Sequence, residues 1–319
     1  MNKFRFYFIL PLVSIVLFSC NKDDSSKVAP PRDYAVQYPS ELDSIENYLK
    51  THSFEVVEVD NRVDVKIDTF IVGNTEGKVS IWDNTDYPLQ FKMVKNDARL
   101  TKLVDGRVDD PVDYKMYYFI INQGGGEPTT KFDSTYVSYR GWRLRDNGQF
   151  DISNTPFWAT FPAITTNEVS LISGFRQFAA LLNAAESVGV GEDGEITYTN
   201  YGVGVVFMPS ALGYYNNYQL NIPTYSPIAF TVRLHGVRER DHDRDGILSK
   251  FENGDNNEDL FSVDTDGDNI PDFLDVDDDN DNVRTILEIR DSEGNSLPFD
   301  QIPTCPGGTL KKHLDPSCQ

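Results

Sequence analysis

Several residue types that support catalysis or nucleic-acid binding are scarce in this chain. It has three cysteines and four histidines in 319 residues. The histidines form no His-Glu-x-x-His motif and no triad signature. Positive charge is also sparse, with 29 lysines and arginines against 50 acidic residues and no basic stripe. The sequence therefore predicts no nucleic-acid partner and no zinc-hydrolase or triad chemistry.

Long apolar runs are absent except at the N-terminus, where residues 6–18 follow Lys3 and Arg5. This run is too short to span a bilayer and has the length of a signal-peptide core. It ends in LFSC, which resembles the bacterial lipobox, so we expect a signal peptide over residues 1–19 and a lipidated Cys20. The alternative is an ordinary secretory signal with an incidental cysteine.

The residues that follow predict where the mature protein lies. Residues 20–33 have no apolar periodicity and are interpreted as a lipidated tether that attaches the chain to a membrane. Their Lys-Asp-Asp at 22–24 resembles the export signal of Bacteroidetes surface lipoproteins. We therefore expect an outer-membrane lipoprotein on the periplasmic or cell-surface side. Outside the cytosol, Cys305 and Cys318 are expected to form a disulfide in a C-terminal tail, residues 291–319, with two free thiols as the alternative.

The composition, 39% hydrophobic and 12% aromatic, indicates a globular chain. Residues 40–50 have apolar positions at helical spacing and a candidate N-cap in Ser40, so they predict a short helix. Alternating runs to about residue 104 predict strands, and together they give an N-terminal helix plus a small β-rich region over 34–111, in a chain of the α+β class. Further strand patterns over 112–238 surround one predicted helix, residues 174–187. We expect an antiparallel sheet wrapped around that helix. The glycine triplet at 124–126 lacks the Gly-Lys-Ser/Thr of a phosphate-binding loop.

Five short motifs occur in a fixed order across residues 113–237. They are VSYRGWRL, NGQFD, LISGF, MPSALGYY and IPTYSPIAFTVRL. In this order they resemble the FKBP-type peptidyl-prolyl cis-trans isomerase family. The resemblance implies an FKBP-like fold and a site made of Tyr139, Phe150, Asp151, Phe157, Leu171, Ile172, Phe175, Tyr214, Ile222 and Phe230.

These residue types suit isomerisation of an Xaa-Pro bond in a polypeptide client. Amide resonance opposes the rotation with a barrier of about 18–20 kcal/mol, and water favours the planar amide over the twisted one. A dry aromatic bowl that accepts the proline ring stabilises the twisted state without metal or cofactor. Phe175 is expected at its floor, in place of the family's tryptophan. The Ile172 amide and the Tyr214 hydroxyl are expected to hold substrate carbonyls, and Asp151 to bond near the twisting carbonyl or to Tyr139.

Three departures from the family leave other functions open. Tyr215 stands where the family has glycine, the loop over 151–157 is short, and residues 188–202 are an insertion. A catalytically weak FKBP-like binding or chaperone lipoprotein is therefore one alternative. Taken singly, each aromatic is also typical of an ordinary core.

Two-thirds of the net charge of −21 lies in residues 241–288, which hold 17 acidic and three basic residues. Residues 241–252 match the EF-hand loop at each liganding position, and two further loops repeat the spacing and resemble thrombospondin type 3 repeats. Oxygen ligands at this spacing favour structural Ca²⁺ in a segment over 239–290. A solvated acidic linker is the alternative, and a calcium-dependent surface structural protein is a third function. The predicted ligands are Asp241, Asp243, Asp245, Ile247 (by its carbonyl), Ser249, Glu252, Asp264, Asp266, Asp268, Asp272, Asp275, Asp277, Asp279, Asp281 and Glu288.

Overall fold

A six-stranded antiparallel sheet forms the centre of the protein. The computed structural model describes residues 30–70, 77–95, 110–192, 194–253 and 260–318, so the predicted signal peptide and Cys20 lie outside the described residues. The helices and strands in chain order are α1 (Tyr34–Thr51), β1 (His52–Val59), β2 (Arg62–Thr69), β3 (Gln90–Val94), β4 (Tyr114–Asn122), β5 (Ser134–Arg143), β6 (Gln149–Ala159), α2 (Ser173–Ala179), β7 (Ser187–Val190), β8 (Ile196–Thr199), β9 (Gly202–Met208), β10 (Ile228–Arg238) and α3 (Thr285–Glu288).

The order across the sheet is β3-β4-β9-β10-β5-β6, with every neighbouring pair antiparallel. Successive side chains of β10 point to opposite faces of the sheet, so this strand contributes to two hydrophobic cores. Phe230 and Val232 join the core on the side of α2, whereas Ala229 joins the core on the side of α1. Both faces of the sheet are therefore covered, and every residue of β9 is buried. This arrangement confirms the predicted α+β class with an antiparallel sheet packed around α2.

Helix α1 and the β1–β2 hairpin cover the second face, where Ile45, Leu49 and Val65 pack around Trp142. The helix begins six residues before the predicted start. Asp33, rather than Ser40, is the N-cap, and its carboxylate accepts hydrogen bonds from the first amides. The Ser40 hydroxyl instead donates to a carbonyl within the helix.

Helix α2 ends at Ala179, eight residues before the predicted end. Beyond it, the amides of Asn183 and Ala184 donate to carbonyls of Gln123 and Glu127, so they are withdrawn from a helical ladder. The glycine triplet makes this approach possible. A Cβ on Gly124 would lie 2.2 Å from the Asn183 carbonyl oxygen, closer than any side chain tolerates.

The C-terminal acidic segment packs against the rest of the chain. Phe261 and Phe273 join Phe132 and Phe161, which flank the β5–β6 pair, in one apolar cluster. The structure also joins Cys305 and Cys318 in a disulfide. The residues from Arg32 onward form one compact unit, so the segments 34–111, 112–238, 239–290 and 291–319 serve below only as labels. None of the helices in the described ranges has the length and apolar character needed to cross a membrane.

Candidate functional site

The aromatic side chains predicted for the site converge on one side of the sheet. The Tyr139 ring lies 5.6 Å from that of Phe175 and 5.7 Å from that of Phe230, measured between centroids. The Phe157 ring lies 6.0 Å from Tyr139, and the Phe150 ring lies 5.4 Å from Phe230. All four pairs meet edge to face, the geometry that aromatic quadrupoles favour. We call this group the aromatic bowl.

The five rings are positioned by four different elements. β5 carries Tyr139, β6 carries Phe150 and Phe157, α2 carries Phe175, and β10 carries Phe230. Five residues distant in sequence therefore meet only because β10 lies between β9 and β5 and because α2 crosses the face of the sheet.

The exposure of the side chains increases from the interior of this group to its edge. Phe175, Phe230 and Ile222 are only 2%, 3% and 4% exposed and form the floor. Asp151 lies exposed at the rim. Between them are half-buried walls, which consist of Tyr139, Phe150, Phe157, Leu171, Ile172 and Tyr214. The nine predicted apolar and aromatic residues thus belong to, or pack against, one core cluster.

Two polar groups fix the rim. The Tyr139 hydroxyl donates a 2.6 Å hydrogen bond to the Asp151 carboxylate, one of the two roles expected for that acid. Burial, and then the adjacent carboxylate, raise the pKa of Tyr139 well above its usual range. The tyrosine therefore remains a hydrogen-bond donor at physiological pH. The other Asp151 oxygen accepts the Ile152 amide, so the carboxylate is held in one orientation.

Two hydrogen-bond donors beside the bowl are unengaged. Within the described ranges, neither the Tyr214 hydroxyl nor the Ile172 amide has a hydrogen-bond partner. Burial, and then the charge of Asp151, raise the pKa of Tyr214, so its proton is retained. These two donors can meet carbonyl oxygens of an extended peptide, as predicted for them.

Tyr215, the residue most at odds with the family pattern, does not fill the bowl. Its ring stacks on Tyr34 of α1 at 4.3 Å, and its hydroxyl donates to the Arg32 carbonyl at 2.5 Å. Its φ is +48°, a left-handed conformation that normally favours glycine. The stacking and the hydrogen bond hold a side chain in that conformation and direct it toward α1.

The insertion after α2 forms the β7–β8 hairpin. Tyr198 on this hairpin packs against His235 at 4.6 Å and lies 6.2 Å from Tyr136, both outside the bowl. The insertion therefore extends the far end of the β5–β10 pair.

Two contributions to the bowl were missed by the sequence interpretation. A Cβ on Gly141 would lie 2.6 Å from Phe150 and 2.7 Å from Phe230, so this glycine leaves room for both rings. The turn that leads to Tyr214 is held from α1, because the buried Glu41 accepts hydrogen bonds from the amide and hydroxyl of Ser210. The Tyr-x-Gly motif was a signal for the glycine, whereas no local pattern pointed to Glu41.

The acidic segment forms three loops with one backbone design. They span residues 241–252, 264–275 and 277–288, and are called the first, second and third loop. The fourth and sixth residues of each loop have a left-handed backbone conformation, with positive φ. The backbone amide of each seventh residue donates a 2.7 Å hydrogen bond to the carboxylate of the fifth residue. The left-handed residues are Arg244, Gly246, Gly267, Asn269, Asn280 and Asn282.

Among the residues that the structure describes, carboxylate oxygens gather in four groups, in each of which one oxygen per residue lies within 4.8 Å of the others. The groups are Asp241, Asp243 and Asp245; Asp245, Glu252 and Asp278; Asp264, Asp266 and Asp268; and Asp277, Asp279 and Asp281. The grouping matches the predicted ligands at the first, third and fifth positions of each loop. Asp278 was absent from the prediction, because the second position supplies no ligand in EF-hand loops.

In the first and second loops the ninth residue, which was predicted to be a calcium ligand, forms hydrogen bonds within its own loop. The Ser249 hydroxyl accepts the His242 amide at 3.2 Å and bonds its ring nitrogen at 2.7 Å. The two Asp272 oxygens accept the amide and hydroxyl of Thr265. These side chains close their own loops because the nearest donor is the second residue of the loop. Glu288 retains both oxygens without a partner and is 3% exposed.

Burial strongly disfavours the charges of these acids. It raises the pKa of Asp243 to about 9 and that of Asp278 to about 10, with nearby carboxylates adding to the effect. Within the described part of the chain, both oxygens of Glu252, which is 6% exposed, lack a hydrogen-bond partner. Oxygen-only groups of this kind suit a hard divalent cation, which would replace the repulsion by coordination.

The C-terminal segment also matches a family described as BamM C-terminal, over residues 242–312. This family differs from the EF-hand and thrombospondin type 3 families that the segment was expected to resemble. The spacing that suggested those families is a property of the individual loops. No curated protein sequence matches the chain.

Among solved structures, the chain is similar to a peptidyl-prolyl cis-trans isomerase from Pseudomonas syringae pv. tomato, with 18% identity, a TM-score of 0.30 and coverage of 39% of this chain and 76% of that one. It is also similar to FkpA from Escherichia coli, with 20% identity, a TM-score of 0.29 and coverage of 39% of this chain and 48% of that one. A third match is the N-terminal domain of FKBP42 from Arabidopsis thaliana, with 16% identity, a TM-score of 0.31 and coverage of 44% of this chain and 99% of that one. At such TM-scores these matches carry no conclusion about activity, and the chain spans less than half of FkpA.

Proposed function

We propose that this protein is a peptidyl-prolyl cis-trans isomerase that acts on exported proteins. The observation that carries the proposal is the convergence of the Tyr139, Phe157, Phe175 and Phe230 rings, with Tyr139 and Phe157 partly exposed and the Tyr139–Asp151 hydrogen bond at the exposed edge. An aromatic surface of this kind suits a proline ring and removes water from the adjoining amide.

The reaction requires no transfer of a group. The proline ring rests on Phe175, and the surrounding rings exclude the water that would stabilise the planar amide. The Tyr214 hydroxyl and the Ile172 amide bind carbonyl oxygens on either side and hold the peptide while the bond turns. Asp151 keeps the Tyr139 ring in place. Each contact favours the twisted amide over the planar one, so the barrier of about 18–20 kcal/mol falls.

We also propose that the mature chain is attached to the outer membrane through a lipidated Cys20, on its periplasmic or cell-surface side. The lipobox resemblance of residues 17–20 supports this proposal. The predicted clients are proline-containing polypeptides that cross the envelope. Mass spectrometry of the membrane fraction tests the anchor, because acylation of Cys20 adds a defined mass that Cys20→Ser removes.

The acidic loops are proposed to hold structural Ca²⁺ that stiffens the C-terminal extension. The support is the set of buried carboxylate oxygens without partners, on Glu252, Asp278 and Glu288. The residues that would hold the ions are Asp241, Asp243, Asp245, Glu252, Asp264, Asp266, Asp268, Asp277, Asp279, Asp281 and Glu288.

A protease-coupled assay with Xaa-Phe-Pro peptides tests turnover. Phe175→Ala and Asp151→Ala are expected to lower kcat/KM by at least tenfold, whereas Phe91→Ala, which removes an exposed ring on β3, leaves it unchanged. Peptide binding to the wild type with no acceleration of isomerisation would favour the alternative of a binding or chaperone protein. Background rates together with no peptide binding would contradict the proposal.

A further inference from the structure

We infer that Asp278 of the third loop is a ligand of the first calcium site, so that a single ion joins two loops. The inference rests on the calcium binding proposed above and concerns a residue that the loop pattern does not supply. EF-hand loops take their ligands from positions 1, 3, 5, 7, 9 and 12. Asp278 is at position 2 of its loop, yet its side chain is 1% exposed.

The geometry assigns Asp278 to the first loop. One oxygen each from Asp245, Glu252 and Asp278 lie within 4.8 Å of one another, and so do oxygens of Asp241, Asp243 and Asp245. Because Ca²⁺ binds oxygen at about 2.3–2.6 Å, oxygens on opposite sides of one ion are separated by about 5 Å. The two groups share Asp245, so a single ion can contact all five carboxylates.

Several oxygens of these carboxylates are unsatisfied within the described residues. Both oxygens of Asp278 and both of Glu252 are buried there without a hydrogen bond, as is one oxygen each of Asp243 and Asp245. Asp245, Glu252 and Asp278 are more than nine-tenths buried and have oxygens directed at one another, an arrangement that is unfavourable without a counter-charge. A divalent cation is the partner that satisfies them together.

The backbone explains why Asp278 points to a different site from its neighbours. Asp277 and Asp279 group with Asp281 in the third loop. Asp278 lies between them and points to the first loop instead, while its amide donates to the Thr285 hydroxyl at 3.2 Å. The two loops are also joined by an apolar contact, since Ile247 and Ile289 belong to one cluster. The third loop is thus a shared wall between two sites.

Calcium titration of the full-length mature protein, stripped with EDTA, tests the assignment. Asp278→Asn keeps the shape of the side chain and removes its charge. It is expected to weaken the affinity of one site about 10–100-fold and to raise the melting temperature in EDTA, because burying Asp278 without calcium costs free energy whether it stays charged or takes up a proton. A higher melting temperature also shows that the variant folds. Glu293→Gln, an exposed acid outside the loops, is expected to change neither value.

A double-mutant cycle identifies the site that Asp278 serves. With Glu252→Gln, the effects of Asp278→Asn on calcium affinity are expected to be non-additive, and with Asp281→Asn they are expected to add. If wild type binds calcium and Asp278→Asn binds it equally, this inference is overturned while the calcium proposal stands. Failure of the wild type to bind millimolar calcium would overturn both, and would leave the isomerase proposal untouched.

Discussion

Gly141 shows how one residue without a side chain keeps the bowl open. A methyl group at this position would lie 2.6–2.7 Å from the rings of Phe150 and Phe230. Those rings meet at 5.4 Å and cannot separate without disturbing Phe175, which lies 5.3 Å from Phe230. The identity of a glycine can therefore matter as much to a binding hollow as the aromatic residues around it.

Gly141→Ala is predicted to destabilise the protein by about 1–3 kcal/mol, as overpacking does, and to lower kcat/KM for prolyl peptides at least tenfold. Urea unfolding and the peptide assay measure the two effects. Gly236→Ala on β10 is the control, because a Cβ there would meet its nearest neighbour at 3.4 Å. Equal behaviour of the two variants would mean that the rings near Gly141 can move aside.

The buried His235 side chain is expected to make the free energy of unfolding depend on pH. Burial, and then the charge of Arg233, lower its pKa to about 4, against about 6.5 in an unfolded chain. The unfolded state therefore binds more protons between these values, so stability falls as the pH drops below about 6.5. At pH 5.5 the expected loss is roughly 1 kcal/mol. Urea unfolding between pH 7.5 and 5 measures it. His235→Gln should reduce the slope, and an unchanged slope would show that His235 is not the cause.

At the residue scale, the sequence predicted the bowl better than the acid loops. The bowl residues are spread over four elements, but their order along the chain matched a family, so Tyr139, Phe175 and Phe230 could be chosen together. Asp278 could not be chosen, because its neighbours in space come from another loop and its own loop offers no role at its position.

Among the elements, α1 lies outside the part of the chain that resembles the isomerase family, yet it supports the site. Its Glu41 accepts hydrogen bonds from Ser210 at 2.6 and 2.7 Å, and its Tyr34 stacks on Tyr215. The turn held in this way carries Tyr214, whose hydroxyl is proposed to bind substrate. We therefore interpret α1 as a brace for one wall of the bowl.

Glu41→Ala is predicted to destabilise the protein by about 1–3 kcal/mol, because it leaves the Ser210 amide buried without an acceptor. A larger KM for prolyl peptides is also expected, since the Tyr214 turn loosens. Urea unfolding and peptide kinetics measure the two effects. Asp43→Ala, an exposed acid on the same helix, is the control. If both variants retained wild-type stability and KM, α1 would not act as a brace.

The sequence predicted that both helices exist, but not the residues at which α1 begins and α2 ends. The pattern of α2 continued past residue 179 because the following alanines and leucines favour a helix. The helix ends because the loop at 124–126 captures the next amides, a contact between segments almost sixty residues apart. For α1, Ser40 was the expected cap, and only the structure shows that Asp33 takes this role six residues earlier.

For the whole molecule, the acidic segment is joined to the sheet by an apolar cluster as well as by the chain. Phe261 and Phe273 pack against Phe132 and Phe161, beside β5 and β6. Calcium bound to the loops would therefore stabilise part of the central fold. The sequence predicted separate segments, because charge and composition change at residue 239, but such changes do not report on tertiary contacts.

Removal of calcium is predicted to lower the melting temperature of the protein and to expose the loops to protease, since metal binding in these loops contributes free energy of folding. Differential scanning fluorimetry with EDTA, and again after re-addition of CaCl₂, measures the change. MgCl₂ at equal concentration is expected to restore less, because Mg²⁺ fits crowded carboxylates poorly. A melting temperature insensitive to EDTA would contradict a structural role for calcium.

The proposed catalysis is tested most directly by exchange NMR on a short Phe-Pro peptide with a sub-stoichiometric amount of the full-length protein. Uncatalysed interconversion takes tens to hundreds of seconds, so no cross-peaks between cis and trans signals are seen without protein. We predict that such cross-peaks appear with the wild type within a mixing time of about one second, and are lost with Phe175→Ala. Absence of cross-peaks with the wild type, at concentrations where the peptide binds, would contradict the account.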